Sequence, residues 1–506
     1  MISGKEIHVL DRNAEFYGVP AIKLMENAGK GVAEFVIKEL KPKTKNVLIL
    51  CGLGNNGGDG LVASRFLSQK FKVTVFIVGK AGEIRTQISK TNYQKLKKTK
   101  AQVHTIQNID ELDNLLLQNQ IIIDSMLGIG LSGKLREPYY SIVKKINNTK
   151  NKTKISVDTP TGLGTNMAVK PDYTITFHDA KNGMNKQNSG KIKIVNIGIP
   201  KKAEEYVGPG EITAFYPKPK KQSHKGDNGR LLVVGGGPYY GAPALSSFAA
   251  QRTGADLIYV ATPKKVARAI TSYSPLLIKP IRLARDIAKI SPTLIVKELH
   301  DKNKLVIKDV KLIEGLIKKT DALLIGPGLG NDDETNKAIE KIIPLFIKHQ
   351  KPIVIDADAI KIVGKKPEII KNSNTVLTPH AGEFKELTGV KLPEKLEERK
   401  KIVAKWAQKL GVIILQKGLV DIISDGETTK LNDVHNEAMT VGGTGDVLAG
   451  IIGCLLSKKV EPLNAARMAA FINGAAGNLA FKKRSYGLIA TDVIDEISTV
   501  LKEYLE

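Results

Sequence analysis

Two glycine-rich segments, each tied to an acid, carry the chemistry that this sequence offers. The first is residues 52–60 (GLGNNGGDG), directly after an apolar run, and the second is residues 442–446 (GGTGD), directly before one. Because glycine has no Cβ, backbone N–H groups in such segments can close around phosphate oxygens. Two of these segments far apart in one chain predict two phosphate-binding sites, and therefore a bifunctional enzyme that acts on nucleotides.

Two further acids follow apolar runs in the first half of the chain. Asp124 ends the run III, and Asp158 ends the run ISV and precedes Thr161. The carboxyl ends of parallel strands meet in one crevice, so we expect these residues and Asn56 to face one pocket. Their oxygen-only ligands suit a hard cation. For either aspartate alone, the alternative role is a helix N-cap.

The second half carries a series of polar or glycine-rich strings, most of them at the expected ends of strands. They are HKGDNG (224–229), GGGPYYGAP (235–243), GPGLG (326–330), DADA (356–359), TPHAGE (378–383) and QKGLVD (416–421). In the GTGD string, glycine amides and a helix N-terminus can hold a transferring phosphoryl group. Asp446 is then placed to accept a hydroxyl proton. The alternatives are that Asp446 only caps the helix and that His380 is an ordinary loop histidine.

The elements that position these residues are short apolar runs alternating with helical stretches. The runs lie at 47–50, 73–78, 121–124, 155–158, 173–177 and 192–197, and at 231–234, 257–261, 323–326, 353–356, 375–377 and 412–415. Continuous apolar runs are typical of strands buried on both faces, and strand–helix–strand order predicts mainly parallel sheets. We therefore predict two three-layer α/β/α domains. The helix after the first glycine-rich segment is expected to begin at Gly60.

The boundary between the domains is predicted where proline, glycine and lysine cluster, at residues 208–221. We place it at 213/214, which gives domains of residues 1–213 and 214–506. The two parts share no visible repeat.

Composition limits the class of protein. The chain has 506 residues and a net charge of +26, from 77 Lys and Arg against 51 Asp and Glu. The lysines are scattered, so they indicate a solvated surface more than a nucleic-acid tract. Cys51 and Cys454 each lie beside an apolar run and are predicted to be core residues. No signal peptide or membrane-spanning stretch is visible, so a cytoplasmic location is expected.

Residues 1–213 resemble the NAD(P)H-hydrate epimerase domain, which is Rossmann-like. The matching strings are LMENAG (24–29), GLGNNGGDG, DSMLGIGLSGK (124–134) and VDTPTGL (157–163). The resemblance implies a K⁺ ion held by Asn56, Asp124 and Thr161. It implies a catalytic Asp158 and substrate contacts from Asn55, Asn56, Gly57, Gly58, Asp59, Gly128, Ile129, Gly130, Leu131, Ser132, Gly133, Lys134, Tyr139 and Asp158. The family usually has Ser where Thr161 stands, and an acid where Gly164 stands.

Residues 214–506 resemble the ADP/ATP-dependent NAD(P)H-hydrate dehydratase domain, which is similar to ribokinase-like kinases. The resemblance implies that Asp446 is the general base and that Ala242, Gly328, His380 and Asp446 contact the hydrate. It implies that Lys417, Gly418, Leu419, Val420, Asp421 and Gly445 contact the adenine nucleotide. Bacterial and archaeal members of the family generally use ADP, and eukaryotic members use ATP. The two-domain fusion and the lack of a visible targeting peptide favour ADP, so ADP with Mg²⁺ is expected in preference to ATP.

Together these observations predict a bifunctional repair enzyme. One domain would interconvert the R and S forms of NADHX and NADPHX, by loss of the hydroxyl or ring opening and re-addition on the other face. The other would dehydrate the S form, converting ADP to AMP and phosphate. We expect a homo-oligomer without nucleic-acid or membrane partners. The alternatives are a ribokinase-like small-molecule kinase with a nucleotide-binding first module, and a nucleic-acid-binding protein suggested by charge alone.

Overall fold

The computed structural model describes residues 1–105, 109, 111–130, 133–272 and 293–506. The chain forms two compact units, Met1–Glu204 and Glu205–Glu506. The predicted boundary at 213/214 lies within a short helix, Pro209–Phe215, that belongs to the second unit.

The first unit contains seven strands and eight α-helices within the described residues. The strands are β1 (Asn46–Cys51), β2 (Lys72–Ile77), β3 (Gln102–Thr105), β4 (Ile121–Ser125), β5 (Thr153–Val157), β6 (Tyr173–Phe177) and β7 (Lys191–Val195). The helices are α1 (Gly4–Phe16), α2 (Ala21–Glu34), α3 (Asn55–Leu67), α4 (Gln87–Leu96), α5 (Glu111–Gln118), α6 (Tyr139–Asn148), α7 (Lys186–Ser189) and α8 (Lys201–Glu205).

The sheet of the first unit is covered on both faces. Val47 and Ile49 of β1 are buried in one core with α1 to α4, whereas Leu48 and Leu50 are buried in a second core with α5 and α6. Successive residues of a strand point to opposite faces, so a strand covered on both sides must be apolar throughout. This explains why the run appeared continuous in the sequence.

The strand order of the first unit is β3-β2-β1-β4-β5-β6-β7, with every pair parallel. The chain leaves β1 toward β2 on one side, while β4 lies on the other side of β1. The carboxyl ends of β1 and β4 therefore flank a topological switch point, where open α/β sheets bind ligands.

The second unit contains nine strands within the described residues. They are β8 (Arg230–Val234), β9 (Leu257–Thr262), β10 (Ile295–Glu298), β11 (Ala322–Ile325), β12 (Ile353–Ile355), β13 (Thr375–Leu377), β14 (Ile413–Gln416), β15 (Asp421–Ser424) and β16 (Thr429–Asn432). Its helices are α9 (Pro209–Phe215), α10 (Gly241–Arg252), α11 (Lys264–Ser272), α12 (Asp309–Ile317), α13 (Asp333–Lys348), α14 (Asp358–Lys365), α15 (Ala381–Thr388), α16 (Leu396–Leu410), α17 (Thr444–Ser457), α18 (Pro462–Arg484) and α19 (Ala490–Leu505).

The sheet of the second unit is also covered by helices on both faces, but it has antiparallel strands at one edge. Its order is β10-β9-β8-β11-β12-β13-β14-β15-β16, and only the last two pairings are antiparallel. Leu231 and Val233 of β8 are buried with α10 and α17 to α19, and Leu232 and Val234 are buried with α12 to α16. Both units are therefore three-layer α/β/α folds with mainly parallel sheets, as predicted.

Several local expectations were wrong. The helix of the first glycine-rich segment begins at Asn55, not Gly60, so NNGGDG forms its first turns. Gly57 and Gly60 are tolerated there because packing demands small residues: a Cβ on Gly57 would lie 1.9 Å from the carbonyl oxygen of Gly52. The sequence runs also missed β3, β10, β15 and β16, which are short and partly exposed or lie in a hairpin.

Cys51 and Cys454 are both buried free thiols, in agreement with their assignment to the core. Within the described ranges, no helix has the length and apolar character that crossing a bilayer requires.

Candidate active sites

A cavity of about 650 Å³ opens at the switch point of the first sheet. The first turns of α3 and the segments after β4, β5 and β6 line it, and α1 closes one side. Asn55 and Asn56 begin α3, where the first amide groups have no acceptor within the helix. The helix N-terminus and these free amides suit a phosphate group.

Asp158 is held in the wall of this cavity by a buried lysine. Its Oδ1 lies 2.5 Å from Nζ of Lys181, whose side chain is only 3% exposed. The same ammonium donates to Oγ1 of Thr176 and to the carbonyl oxygen of Phe177, so its position is fixed from three sides. Asp158 itself has a φ of +62°, an uncommon backbone conformation for a residue with a side chain. Such conformations are concentrated at functional sites.

A polar cluster is buried behind the cavity, at the end of β4. Asp124 accepts hydrogen bonds from Oγ1 of Thr161 at 2.6 Å, from the Thr161 amide at 2.8 Å and from Oγ of Ser156 at 2.9 Å. Burial raises the pKa of Asp124 despite these hydrogen bonds. Both side-chain atoms of Asn56 are buried, and neither has a hydrogen-bond partner among the described residues. The cluster therefore combines a desolvated carboxyl group with an unsatisfied amide.

The predicted substrate residues of the first unit fall into three groups. Those that line the cavity are Asn55, Asn56, Asp59, Gly128, Ile129, Tyr139 and Asp158. Those that do not line it are Gly57, Gly58, Gly130, Gly133 and Lys134, of which the first two are buried in packing contacts of α3. Leu131 and Ser132 lie outside the described residues.

The second site is built around the first turn of α17. Gly443 precedes this helix with a φ of +99°, and a Cβ there would also meet the side chains of Leu245 and Ala490, so only glycine fits. Asp446 stands in the first turn, beside amides that have no acceptor within the helix. Burial and then the charge of Asp356 raise the pKa of Asp446 to about 7, against the opposing effect of Lys417. A carboxyl group that titrates near neutrality can act as a general base.

Lys417 joins the acids of this site. Its Nζ donates to Oδ1 of Asp356 at 3.0 Å and lies 3.8 Å from Oε2 of Glu383. It also lies 3.5 Å from where a Cβ on Gly445 would be, so the ammonium stands over the start of α17. Burial acts to lower the pKa of Lys417, but Asp356 and Glu383 outweigh it and raise the pKa. The site thus holds a fixed positive charge next to free helix amides.

All the predicted nucleotide residues line one cavity of about 600 Å³ beside this turn: Lys417, Gly418, Leu419, Val420, Asp421 and Gly445. The loop that carries most of them connects β14 with antiparallel β15. Asp421 fixes this loop, since it accepts hydrogen bonds from the Gly418 amide at 3.0 Å and from Asn432 Nδ2 at 3.0 Å. Leu419 is 82% exposed at the loop tip.

The predicted hydrate residues other than Asp446 come from the start of α10, the segment after β11 and the segment after β13. Gly328 has a φ of +68°, and a Cβ on it would lie 3.2 Å from Cβ of Ala242, so these two residues adjoin. His380 caps α15: its Nδ1 accepts from the amides of Gly382 and Glu383, and its ring is 61% exposed. A parallel bridge joins His380 to Lys417, the residue whose charge acts on Asp446.

Sequence reasoning assigned no role to four residues that belong to these sites, although Asp356 and Glu383 lie in strings that it singled out. Lys181 and Asp11 line the first cavity, while Asp356 and Glu383 flank Lys417 in the second. Lys181 and the last two follow parallel strands closely, so the rule that strand ends converge could have found them. Asp11 lies in the first helix with no motif around it, and nothing in the sequence marks it.

Each unit has a mainly parallel sheet, a helix N-terminus suited to an anion, and a carboxyl group near the carboxyl ends of the strands. These features define the class of the protein as a two-domain α/β enzyme that acts on nucleotides. Residues 21–183 match the model of the YjeF-related protein N-terminus, and residues 231–499 match that of NAD(P)H-hydrate dehydratase. A bifunctional NAD(P)H-hydrate repair enzyme from Hyperthermus butylicus is 38% identical, covering 100% of this chain and 93% of the relative. One from Archaeoglobus fulgidus is also 38% identical, covering 98% and 97%.

A solved structure of ADP/ATP-dependent NAD(P)H-hydrate dehydratase from Bacillus subtilis, co-crystallised with ATP/Mg²⁺, is 26% identical. It covers 59% of this chain and 98% of its own, with a TM-score of 0.47. The full-length relatives decide the assignment: the chain belongs to the family of bifunctional NAD(P)H-hydrate repair enzymes. It carries both the epimerase and the dehydratase domain of that family, and the kinase alternative is not supported.

Proposed function

We propose that the cavity of the first unit epimerises the hydrated ring of NADHX and NADPHX, with Asp158 as a catalytic proton carrier. The ion pair with Lys181 supports this role, because it holds a carboxylate in the cavity wall at a fixed position. The start of α3 would bind the diphosphate. The predicted contacts of residues 55–59, 128–134 and Tyr139 remain part of the proposal.

We propose that the second unit transfers a phosphoryl group to the ring hydroxyl of the S form and then eliminates phosphate. Asp446 would take the hydroxyl proton as the oxygen–phosphorus bond forms and the donor's terminal bridging bond breaks. Loss of phosphate with a ring proton then restores the dihydronicotinamide. The observation that carries this proposal is Asp446 itself: a carboxyl group with a pKa of about 7 beside the free amides of α17 and the ammonium of Lys417.

The donor set at the end of β4 fits K⁺. It offers oxygen ligands only: the Asp124 carboxylate, the Thr161 hydroxyl and Oδ1 of Asn56, which is buried without a partner. A cation among these atoms would satisfy the amide oxygen and favour the ionised form of Asp124. We therefore infer that Asn56, Asp124 and Thr161 hold the ion, which would fix the loop after β4 against the start of α3.

The nucleotide site is proposed to take ADP in preference to ATP, together with Mg²⁺. In the described part of the chain, no three His, Cys, Asp or Glu side chains converge as a metal site. Mg²⁺ often binds through one or two carboxylates plus substrate phosphates, so it would enter with the nucleotide. Asp356 is the candidate for the carboxylate that the protein would contribute to Mg²⁺. The contacts of residues 417–421 and Gly445 with the nucleotide are part of the same proposal. A homo-oligomeric, cytoplasmic enzyme also remains a prediction.

The test mixes the purified chain with racemic hydrate and either ADP or ATP, and follows recovery of dihydronicotinamide absorbance. We expect complete conversion with ADP. Asp158→Asn should leave the R form behind, whereas Asp446→Asn should stop dehydration of the S form. The matched controls are Asp113→Asn and Asp495→Asn, which change exposed aspartates of the same units. If the two site variants convert the racemate as the wild type does, the assignment of these residues is wrong.

A further inference from the structure

The cavity of the first unit holds carboxyl groups from three separate elements. Asp158 follows β5, Asp59 lies in the first turns of α3, and Asp11 is on α1. The first two belong to strings that marked the site in the sequence, but Asp11 does not. An acid in the wall of a cavity that must accept an anionic dinucleotide costs binding energy, and therefore calls for a role.

Asp11 and Asp158 have opposite surroundings. Lys181 is the counter-ion of Asp158, at 2.5 Å. Asp11 has no hydrogen bond or ion pair to any residue in the described ranges, although it shares the cavity with both. Burial and then the charge of Asp158 raise the pKa of Asp11 to about 6, and Lys181 offsets only part of this. A carboxyl group with a bound counter-ion next to one without a partner is the arrangement expected of a base and an acid that work as a pair.

We propose that Asp11 is a second catalytic residue of the epimerase, acting as the general acid while Asp158 acts as the general base. This inference rests on the assignment of epimerisation to this cavity. An active site that inverts the configuration of one ring carbon must remove oxygen from one face of the ring and add it to the other. A single carboxyl group held by Lys181 reaches only one of these faces. Asp11, on a different element, supplies the other.

The proposed reaction passes through loss and re-addition of water at the hydrated ring carbon. The bond between the hydrated ring carbon and its hydroxyl breaks, the oxygen keeps the electron pair, and it takes the Asp11 proton and leaves as water. The lone pair of the ring nitrogen forms a carbon–nitrogen double bond meanwhile. Water then adds to the opposite face and gives its proton to Asp158, while the nitrogen regains its pair. Proton exchange with solvent then returns Asp11 to its acid form and Asp158 to its base form. The other epimer reacts through the same groups in the reverse order.

The other charged groups around Asp11 do not replace it. On α1 these are His8, Arg12 and Glu15, and from other elements they are Asp59, Arg85, Asp158, His178 and Lys181. Arg12 lies 3.0 Å from Glu15 and is occupied by it. Burial and then Arg12 lower the pKa of His8, so this imidazole is neutral near pH 7 and is a poor acid. Burial and then Asp158 and Asp11 raise the pKa of Asp59, but Asp59 lies next to the helix start assigned to phosphate.

The experiment starts from the pure R form without nucleotide and follows the S form by chromatography. Asp11→Asn should lower kcat roughly 10²–10⁴-fold, the usual contribution of a general acid, with KM within about threefold of wild type. Wild-type kcat/KM, which reports the free enzyme, should fall as pH rises above about 6, and this fall should be absent in Asp11→Asn. Asp11→Glu should recover part of the rate. Glu6→Gln, on the same helix but outside the cavity lining, is the control.

Dehydration of the S form by the same chain measures the amount of active protein, and recovery of rate in Asp11→Glu shows that the first unit folds when this position is substituted. Any of three results for Asp11→Asn would overturn the proposal: a wild-type kcat for epimerisation, a loss of activity through KM alone, or a decrease in rate at high pH like that of the wild type. A wild-type chain that cannot convert the R form would instead overturn the proposed function of the cavity.

Discussion

Nζ of Lys417 lies 3.0 Å from Oδ1 of Asp356, directly over the start of the helix that carries Asp446. Lys417 comes from the loop after β14 and Asp356 from the end of β12, so the pair ties the nucleotide loop to the centre of the sheet. The ion pair holds the ammonium in place before any phosphate arrives. Such a preorganised cation stabilises charge that develops on a transferring phosphoryl group.

Replacing Lys417 with Met should therefore damage the chemical step more than binding. We expect kcat for dehydration to fall about 10²–10³-fold, the cost of removing one preorganised stabilising group. The side chain keeps its length, so packing is largely preserved. Steady-state kinetics with the S form and ADP provides the measurement, and Lys385→Met, an exposed lysine on α15, provides the control. Unchanged kcat with raised KM for ADP would show that Lys417 only binds nucleotide.

The pKa of Asp446, at about 7, predicts a pH profile with a defined sign. A general base works only when it is ionised, so the dehydration rate should fall about tenfold for each pH unit below about 7. Above pH 8 the rate should be flat with respect to this group. The profile of kcat/KM reports the free enzyme and is the quantity to measure. A rate that stays constant from pH 8 to pH 5 would contradict the role of Asp446.

The same pKa makes Asp446 costly to stability. Its pKa in the folded chain is raised to about 7, above an unfolded value of about 3.9. The folded state therefore holds its proton more tightly, and the stability associated with that proton is lost as pH rises from about 4 to 7. Asp446→Asn cannot lose a proton, so it should be roughly 1–4 kcal/mol more stable than wild type at pH 8.

Thermal unfolding of the second unit at pH 4 and pH 8 tests this expectation. The advantage of the variant over wild type should be present at pH 8 and nearly absent at pH 4. An advantage of equal size at both pH values would point to packing and not to titration.

The sequence predicted the layered folds because buried parallel strands leave continuous apolar runs. It placed Asp124 and Asp158 correctly at strand ends, since polar residues interrupt those runs where the sheet meets its ligand edge. It failed at the start of α3, where the five glycines of residues 52–60 suggested a turn. Tertiary packing decided that element: Gly57 and Gly60 are helical because only hydrogen fits between α3 and its neighbours.

The residues that complete the sites show where sequence reasoning ends. Asp11 lies in α1, and α2 separates it from β1 in the sequence. Only the fold brings Asp11 into the same cavity as Asp158. His380 was predicted from its string to contact the hydrate, but the structure adds a capping role that the string did not reveal. Contacts of this kind depend on tertiary placement, which no local pattern records.

The cluster at the end of β4 predicts stabilisation by K⁺. An ion that binds only the folded state raises the midpoint of thermal unfolding in proportion to the logarithm of its concentration. We expect KCl to raise the midpoint of the first unit relative to choline chloride at equal ionic strength. Thr161→Val, which removes the hydroxyl that lies 2.6 Å from Asp124, should abolish most of this increase. Thr91→Val, at an exposed hydroxyl on α4, should keep it.

A buried ion pair predicts the largest single loss of stability. Nη2 of Arg467 on α18 lies 3.0 Å from Oε1 of Glu211 on α9, and both side chains are almost unexposed. Arg467→Met would leave the carboxylate buried without this partner, at a cost of about 3–5 kcal/mol. The double variant Glu211→Leu with Arg467→Met removes both charges and should regain most of that loss. Breaking the exposed pair of Lys366 and Glu340 should cost at most about 1 kcal/mol. Urea unfolding of the second unit measures the free energy of unfolding of all three variants. If Arg467→Met loses no more of this free energy than the variant of the exposed pair, the chain tolerates the buried charge.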